Sequence, residues 1–219
     1  MSFPTLDEDL DPGGTSAPPT AGERAKQWGV RLLLAAWALA MILVGGFLLA
    51  GHLLTLPKPE ARDARLTAGI LSVRTAPSEG RWLALHVINA ECVCSKRVLE
   101  HLLSRKSGSF AIERVVLVDG DQATAVRIRA AGYEFEALSG VALEARYGIT
   151  GAPLMVVVDP TNAVRYLGGY SERNPTAKLR DEEIFGQLAK GETPATMPVF
   201  GCAISKNLQE SVDPLGLNR

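Results

Sequence analysis

The sequence predicts a mixed α/β domain, with helices on both faces of a four-stranded or larger sheet, that follows a single membrane-spanning helix. Residues 32–51 carry no charge, which predicts the membrane helix. Beyond them, short apolar runs alternate with amphipathic segments of helical period, a pattern typical of parallel strands joined by helical crossovers. The last two apolar runs flank a turn at residues 159–162, which predicts an antiparallel hairpin.

The composition excludes two classes of protein. The 219 residues carry a formal net charge of −1, so the chain is not a strongly basic protein, and no nucleic-acid partner is expected. Hydrophobic residues make up 47%, which is enough for a core and excludes a wholly disordered chain. The three cysteines are too few for a disulfide framework, yet Cys92 and Cys94 are separated by a single residue. That spacing makes them candidates for chemistry.

The charge-free run is long enough to cross about 30 Å of hydrocarbon as a helix. It exceeds the roughly 7–15 apolar residues of a signal peptide and has no obvious A-x-A cleavage site. A buried core helix would keep a polar face, and this run has none. We therefore predict an uncleaved anchor in a lipid bilayer. Basic residues flank the run equally at both ends, so the charges do not decide its orientation.

The predicted domain organisation has five parts. They are an acidic, disordered tail (1–28), the transmembrane anchor (29–55), a stalk (56–66), the α/β domain (67–191) and a C-terminal tail that carries Cys202 (192–219).

The first predicted strand, residues 82–88, is a nearly continuous apolar run, which favours a strand buried on both faces. Its one polar member, His86, is interpreted as an edge histidine or a satisfied core histidine. An amphipathic helix of roughly three turns follows, with Val98 and Leu102 on its apolar face. Cys92 and Cys94 therefore lie where a strand passes into a helix.

The remaining elements continue the alternation of strands and helices. In order they are a strand (112–118), a helix (122–131), a short extended piece (135–138), a helix (141–147), a strand (154–158), its hairpin partner (163–167) and a last helix (181–190).

Three segments, taken in this order, resemble the thioredoxin-like superfamily: the first strand with INAECVCSK, then YGITGAPLMVVVD, then VRYLGGY. The resemblance covers residues 66–191 and implies a thioredoxin-like fold in which a cis Pro153 faces the cysteines and exposes backbone groups to a substrate chain. With its anchor, the chain is similar to membrane-tethered periplasmic thiol:disulfide oxidoreductases of bacteria. The implied partners are extracytoplasmic protein thiols or disulfides.

The cysteine spacing departs from that family, in which two residues separate the two cysteines. Aligning Lys96 with the lysine that usually follows the site puts Cys92 in the first cysteine position and Ser95 in the second. Cys94 then falls one position early.

The predicted nucleophile is Cys92, because a helix N-terminus stabilises a thiolate. The second thiol is left open between Cys94 and Cys202, and Cys202 as an unpaired thiol is a further alternative. The candidate catalytic residues are thus Cys92, Cys94, Pro153 and Cys202. No cofactor is expected for this reaction.

Two other functions remain open. Two thiolates at Cys-x-Cys spacing suit Cu(I), with Cys202 or His101 as a third ligand, although His101 lies about 10 Å along the helix from Cys94. The domain also fits a non-catalytic thioredoxin-like interaction module. Disulfide chemistry and soft-metal capture both suit a compartment outside the reducing cytosol. The sequence therefore predicts a single-pass inner-membrane protein with a periplasmic C-terminal domain.

Overall fold

The computed structural model describes residues 21–53, 55–74, 79–173 and 176–212. The chain divides into two compact units between Leu48 and Leu49. The first element, helix α1 (Ala21–Leu53), contains a stretch of mean hydropathy 1.9 at Lys26–Gly46. Within the described ranges, α1 is the one helix long and apolar enough to cross a membrane, by length and composition. Residues 1–20 of the predicted tail lie outside the description, and residues 21–28 are helical.

The second unit contains the sheet. Its strands are β1 (Thr55–Leu56), β2 (Trp82–Asn89), β3 (Ala111–Val118), β4 (Glu134–Leu138), β5 (Gly151–Ala152), β6 (Leu154–Val158), β7 (Val164–Gly168), β8 (Val199–Phe200) and β9 (Cys202–Ala203). Its helices are α2 (Ala64–Val73), α3 (Val93–Arg105), α4 (Gln122–Ala130), α5 (Gly140–Tyr147), α6 (Asp181–Ala189) and α7 (Lys206–Val212).

The central sheet has five strands in the order β4-β3-β2-β6-β7. Strands β2, β3 and β4 are parallel, because a helix crosses over between each pair. Strand β6 runs antiparallel to β2, and β7 forms the hairpin with β6. The predicted mixed sheet is therefore confirmed, including its antiparallel hairpin.

Both faces of the sheet are covered by helices. On one face, Leu66 and Ile70 of α2 pack with Leu143 of α5 against the sheet. On the other face, Leu102 of α3 and Ile184 of α6 do the same. Strand β2 is buried at every interior position, as its continuous apolar run predicted.

Residues 56–66, predicted as a stalk, join the fold at both ends, where Leu56 and Leu66 are buried. Strand β1 pairs with β8, and the side chain of Leu56 is buried in the core. The Asp63 carboxylate caps α2 by accepting hydrogen bonds from the backbone N–H groups of Arg65 (2.7 Å) and Leu66 (3.3 Å). Helix α2 does not stand out in the sequence, because its apolar residues directly follow the proline-containing stretch that suggests a stalk.

The C-terminal tail, as far as residue 212, is also part of the fold. It crosses the end of β7, where the N–H of Gly169 donates to the carbonyl of Met197 (3.1 Å). A Cβ on Gly169 would lie 3.0 Å from the carbonyl carbon of Pro198, so the crossing needs a glycine there. Strands β8 and β9 follow, and each pairs with a two-residue strand of the domain. The tail thereby brings Cys202 back to the domain.

Candidate functional site

The turn between β2 and α3 places Cys92 at the N-cap of the helix. Two side-chain contacts hold the turn. The Asn89 side chain accepts a hydrogen bond from the N–H of Glu91 (2.9 Å), and the hydroxyl of Ser95 accepts one from the N–H of Asn89 (3.1 Å). Ser95 is fully buried. The serine at the family's second cysteine position therefore closes the turn instead of supplying a thiol.

The N-terminal end of α3 is suited to a negative charge on the sulfur of Cys92. No side chain caps its first turn, so those backbone N–H groups are not taken up by the N-cap residue. The positive end of the helix dipole lies at the same place and favours a thiolate at Cys92. In the oxidised protein the residue itself is only 2% exposed.

Cys92 is joined to Cys202 by a disulfide. The two Cα atoms are 5.9 Å apart, within the usual range for a disulfide, and 110 positions separate them in the chain. Of the pairings that the sequence left open, the structure has the one in which the C-terminal tail supplies the partner.

Cys94 is a free thiol beside this disulfide, and it is half-buried. Burial raises the pKa of the Cys94 thiol, although the charge of Arg97 acts in the opposite direction. A raised pKa leaves less thiolate at neutral pH, so Cys94 is a weaker nucleophile here than an ordinary exposed cysteine.

Pro153 lies beside the same disulfide and follows a cis peptide bond from Ala152. The preceding strand, β5, pairs antiparallel with β9, so that Ala152 is opposite Cys202. A Cβ built on Gly201 would lie 2.6 Å from Cδ of Pro153 and closer still to the Ala152 carbonyl oxygen. The loop of Pro153, the tail of Cys202 and the helix end of Cys92 thus meet at one place.

The central sheet begins with a parallel β-α-β unit, ends in an antiparallel hairpin, and carries its cysteine turn at the end of the middle strand beside the Pro153 loop. The fold is thioredoxin-like. This arrangement is what the three sequence segments implied. Only the cysteine that pairs with Cys92 lies outside the region of resemblance, in the tail.

No protein-family model matches the sequence, and no curated protein matches it. Several solved structures are similar in outline. A hypothetical protein of Sinorhizobium meliloti is 16% identical with a TM-score of 0.44, over 70% of this chain and 91% of its own. An uncharacterized conserved protein of Geobacillus kaustophilus is 12% identical with a TM-score of 0.42, over 58% and 78%. A secreted disulfide oxidoreductase of Mycobacterium tuberculosis is 16% identical with a TM-score of 0.38, over 52% and 85%.

A copper site would require the reduced protein, because the disulfide occupies the sulfur of Cys92. In the part of the chain that the structure describes, no group of three or more His, Cys, Asp or Glu side chains is arranged to hold a metal. His101, considered above as a third ligand, instead donates from Nε2 to the carboxylate of Asp181 at 2.8 Å.

A buried polar cluster lies on the face of the sheet that α3 and α6 cover. Nε2 of His86 donates to the Glu113 carboxylate (2.9 Å), which leaves Nδ1 to accept from the hydroxyl of Tyr170 (2.7 Å). Arg105 donates both to Glu113 and to Asp181. His86 is therefore a satisfied core histidine, as interpreted from the sequence, but it lies on the central strand and not at an edge.

Sequence reasoning missed the other members of this cluster. One signal was present: Glu113 is a single acidic residue near the start of an apolar strand, and it is 2% exposed. Burial alone would raise its pKa, but hydrogen bonds from His86 and Arg105, together with the positive charge of Arg105, outweigh burial and lower the pKa to about 2. The cluster therefore holds Glu113 as a carboxylate beneath the helix that begins at Cys92.

Proposed function

We propose that this protein is a membrane-tethered thiol:disulfide oxidoreductase that acts on extracytoplasmic protein thiols, with Cys92 as the nucleophile and Cys202 as its partner. The observation that supports this most directly is the Cys92–Cys202 disulfide at an uncapped helix N-terminus beside the Pro153 loop. A disulfide in that position can be opened by an incoming thiolate, and the helix end stabilises the Cys92 thiolate that is then released.

The exchange consists of two successive displacements at sulfur. A thiolate of a partner dithiol attacks one sulfur of the Cys92–Cys202 bond, which gives a mixed disulfide and one free thiolate of this protein. The second thiolate of the partner then attacks the mixed disulfide, and the partner leaves with its own disulfide. Two electrons and two protons pass from the partner to Cys92 and Cys202, so the reaction needs no further reactant.

The oxidised full-length protein in detergent micelles is expected to oxidise one equivalent of a dithiol peptide per protein molecule. Mass spectrometry of alkylated samples should show that Cys92 and Cys202 gain labels as the peptide loses its thiols, while the labelling of Cys94 does not change. An unchanged peptide after prolonged incubation would contradict the proposed function.

Copper capture is the competing proposal, and the same preparation separates it. As an oxidoreductase, the reduced protein should lose Cu(I) to a strong chelator and still exchange disulfides. Three results together would favour a copper carrier. The protein would retain one Cu(I) against the chelator, it would lose the ion when either Cys92 or Cys94 is changed to serine, and the dithiol peptide would stay reduced.

Helix α1 supports the membrane part of the proposal, since it is long and apolar enough for a bilayer. We expect the protein to stay in the membrane pellet after extraction with alkaline carbonate. Protease added to spheroplasts should digest the C-terminal domain, whereas protection of that domain would place it in the cytoplasm. A cytoplasmic domain would also count against stable disulfide chemistry.

A further inference from the structure

The edge of β5 is covered by the protein's own C-terminal segment, residues 201–204. In the antiparallel register, Gly151 is opposite Ala203 and Ala152 is opposite Cys202. The N–H of Ile204 continues the pairing by donating to the carbonyl of Thr150 (2.7 Å). The three residues that precede Pro153 are therefore occupied along their backbone by an extended strand.

This strand has the features of a bound peptide. It lies extended along the loop of Pro153, and its cysteine is bonded to the sulfur of Cys92. A partner polypeptide caught as a mixed disulfide with Cys92 would need both interactions, since β pairing supplies affinity and the sulfur bond supplies the chemistry. The segment thus shows which side chains the edge accepts.

The residue before the cysteine is the most restricted position. Gly201 lies so close to the Ala152 carbonyl and to the ring of Pro153 that a Cβ there would overlap both. Because the obstructing atoms are backbone and a proline ring, they have little freedom to move aside. An occupant whose backbone follows the same path therefore needs glycine immediately before its cysteine.

The position two residues after the cysteine takes an apolar side chain. Ile204 is 7% exposed, and its Cγ2 would lie 2.7 Å from a Cβ built on Gly140, so it packs directly on that glycine. Ala203, which lies between Cys202 and Ile204, is 9% exposed, which leaves little room for a larger residue. The accepted pattern is Gly-Cys, then a small residue, then an apolar residue.

We propose that residues 201–204 are a tethered stand-in for a substrate strand, and that reduction of Cys92–Cys202 frees the β5 edge for an extended partner peptide of the pattern Gly-Cys-small-apolar. This inference rests on the proposed function and names its substrate class. In the reduced protein the Cys92 thiolate attacks a disulfide of such a peptide. A bond forms between Cys92 and the peptide cysteine, and the other sulfur of that disulfide leaves as a thiolate.

The segment remains close to the edge after its release. Strand β8, directly before Gly201, stays paired with β1 through Phe200 and Thr55. A tether of this length keeps Cys202 at a high effective concentration, so it competes with partner peptides and can displace a peptide bound to Cys92.

The test uses the full-length Cys94→Ser/Cys202→Ser protein, in which Cys92 is the single thiol. Three peptides that carry a 2-thiopyridyl disulfide on their cysteine are compared: Gly-Cys-Ala-Ile, Ala-Cys-Ala-Ile and Val-Cys-Ala-Ile. The released thiopyridone measures the rate. We expect the glycine peptide to react roughly tenfold or more faster than the other two, as a methyl group forced into a packed site would predict.

Dithiodipyridine, which has no peptide, distinguishes failure of the glycine requirement from failure of the proposed function. If it reacts readily while the three peptides react at equal rates, the glycine requirement is wrong and the proposed function stands. If neither dithiodipyridine nor any peptide reacts with Cys92, the proposed function fails first.

A second measurement does not depend on that double variant. In the otherwise wild-type chain, Gly201→Ala should shift the Cys92–Cys202 equilibrium in a glutathione buffer towards the dithiol by roughly tenfold or more. The control is Gly186→Ala, because a Cβ on this glycine of α6 would meet open space. On reduction of the wild-type protein, the Ile204 amide should lose protection from hydrogen exchange. An unchanged equilibrium in Gly201→Ala, or unchanged protection of Ile204, would overturn the proposal.

Discussion

Replacement of Cys92 by serine is expected to abolish disulfide exchange, with a loss of roughly a thousandfold or more in rate. The reason is chemical, since only a thiolate attacks sulfur at a useful rate and a serine hydroxyl does not ionise near neutral pH. The variant also cannot form the disulfide with Cys202. The measurement is the oxidation of a dithiol peptide by the full-length protein.

The two other cysteines provide the matched comparisons. Cys202→Ser should still attack a disulfide substrate but should accumulate the mixed disulfide with Cys92, because the resolving thiol is missing. Cys94→Ser should retain turnover within a few-fold if Cys202 is the second thiol. Full turnover by Cys92→Ser would exclude Cys92 as the nucleophile. Loss of turnover in Cys94→Ser alone would move the resolving role from Cys202 to Cys94.

Glu113→Gln should lower the free energy of unfolding by about 3 kcal/mol, since it removes one partner of a buried ion pair. The Arg105 side chain is only 10% exposed and keeps one of its two carboxylates, that of Asp181. The amide nitrogen of a glutamine cannot accept a hydrogen bond, so one of the two oxygens that accept from His86, Arg105 and the N–H of Gly108 is lost. Denaturant unfolding of the wild type and the variant measures the difference. The fold should persist, because glutamine has the same shape as glutamate.

Glu100→Gln is the control for that substitution. Glu100 pairs with Arg127 at the surface, where both side chains are more than half exposed, so its loss should cost less than about 0.5 kcal/mol. Equal effects of the two substitutions would contradict the role given to the buried cluster.

The pH dependence gives a second readout of Glu113. Its pKa is lowered in the folded protein to about 2, from an ordinary value of 4.5. Because this pKa is depressed, the ionised Glu113 carboxylate stabilises the fold fully above pH 4.5. Its contribution disappears as the pH falls from about 4.5 to about 2. Glu113→Gln should remove this part of the acid dependence. Asp159, whose pKa is also lowered to about 2, contributes in the same window and should remain.

The long elements of the fold could be predicted from the sequence because each has its own periodicity. The run at residues 82–88 is apolar enough for a strand covered on both faces, and the helix after Cys92 has a clear apolar face. Strands of two residues, such as β5 and β9, have no period to detect. Their pairing depends on backbone groups that any sequence has.

The candidate site could be predicted only in part, for the same reason. The position of Cys92 at a strand-to-helix turn is local information, and so is the proline before β6. The partner of Cys92 is 110 residues away, and nothing near Cys202 distinguishes a returning tail from an unpaired thiol. The contact of Glu113 with His86 likewise depends on the register of β2 and β3, which the sequence alone does not specify.

The disulfide turns most of the domain into a covalent ring. Strands β3, β4, β6 and β7 all lie between its two cysteines, so the bond restricts the unfolded chain over 110 residues. A ring of that size removes chain entropy worth up to about 4.7 kcal/mol from the unfolded state. By thermodynamic linkage, whatever the bond adds to the stability of the fold, the fold adds to the stability of the bond. Conditions that loosen the domain therefore also make the protein a stronger oxidant, which couples its redox poise to its folding.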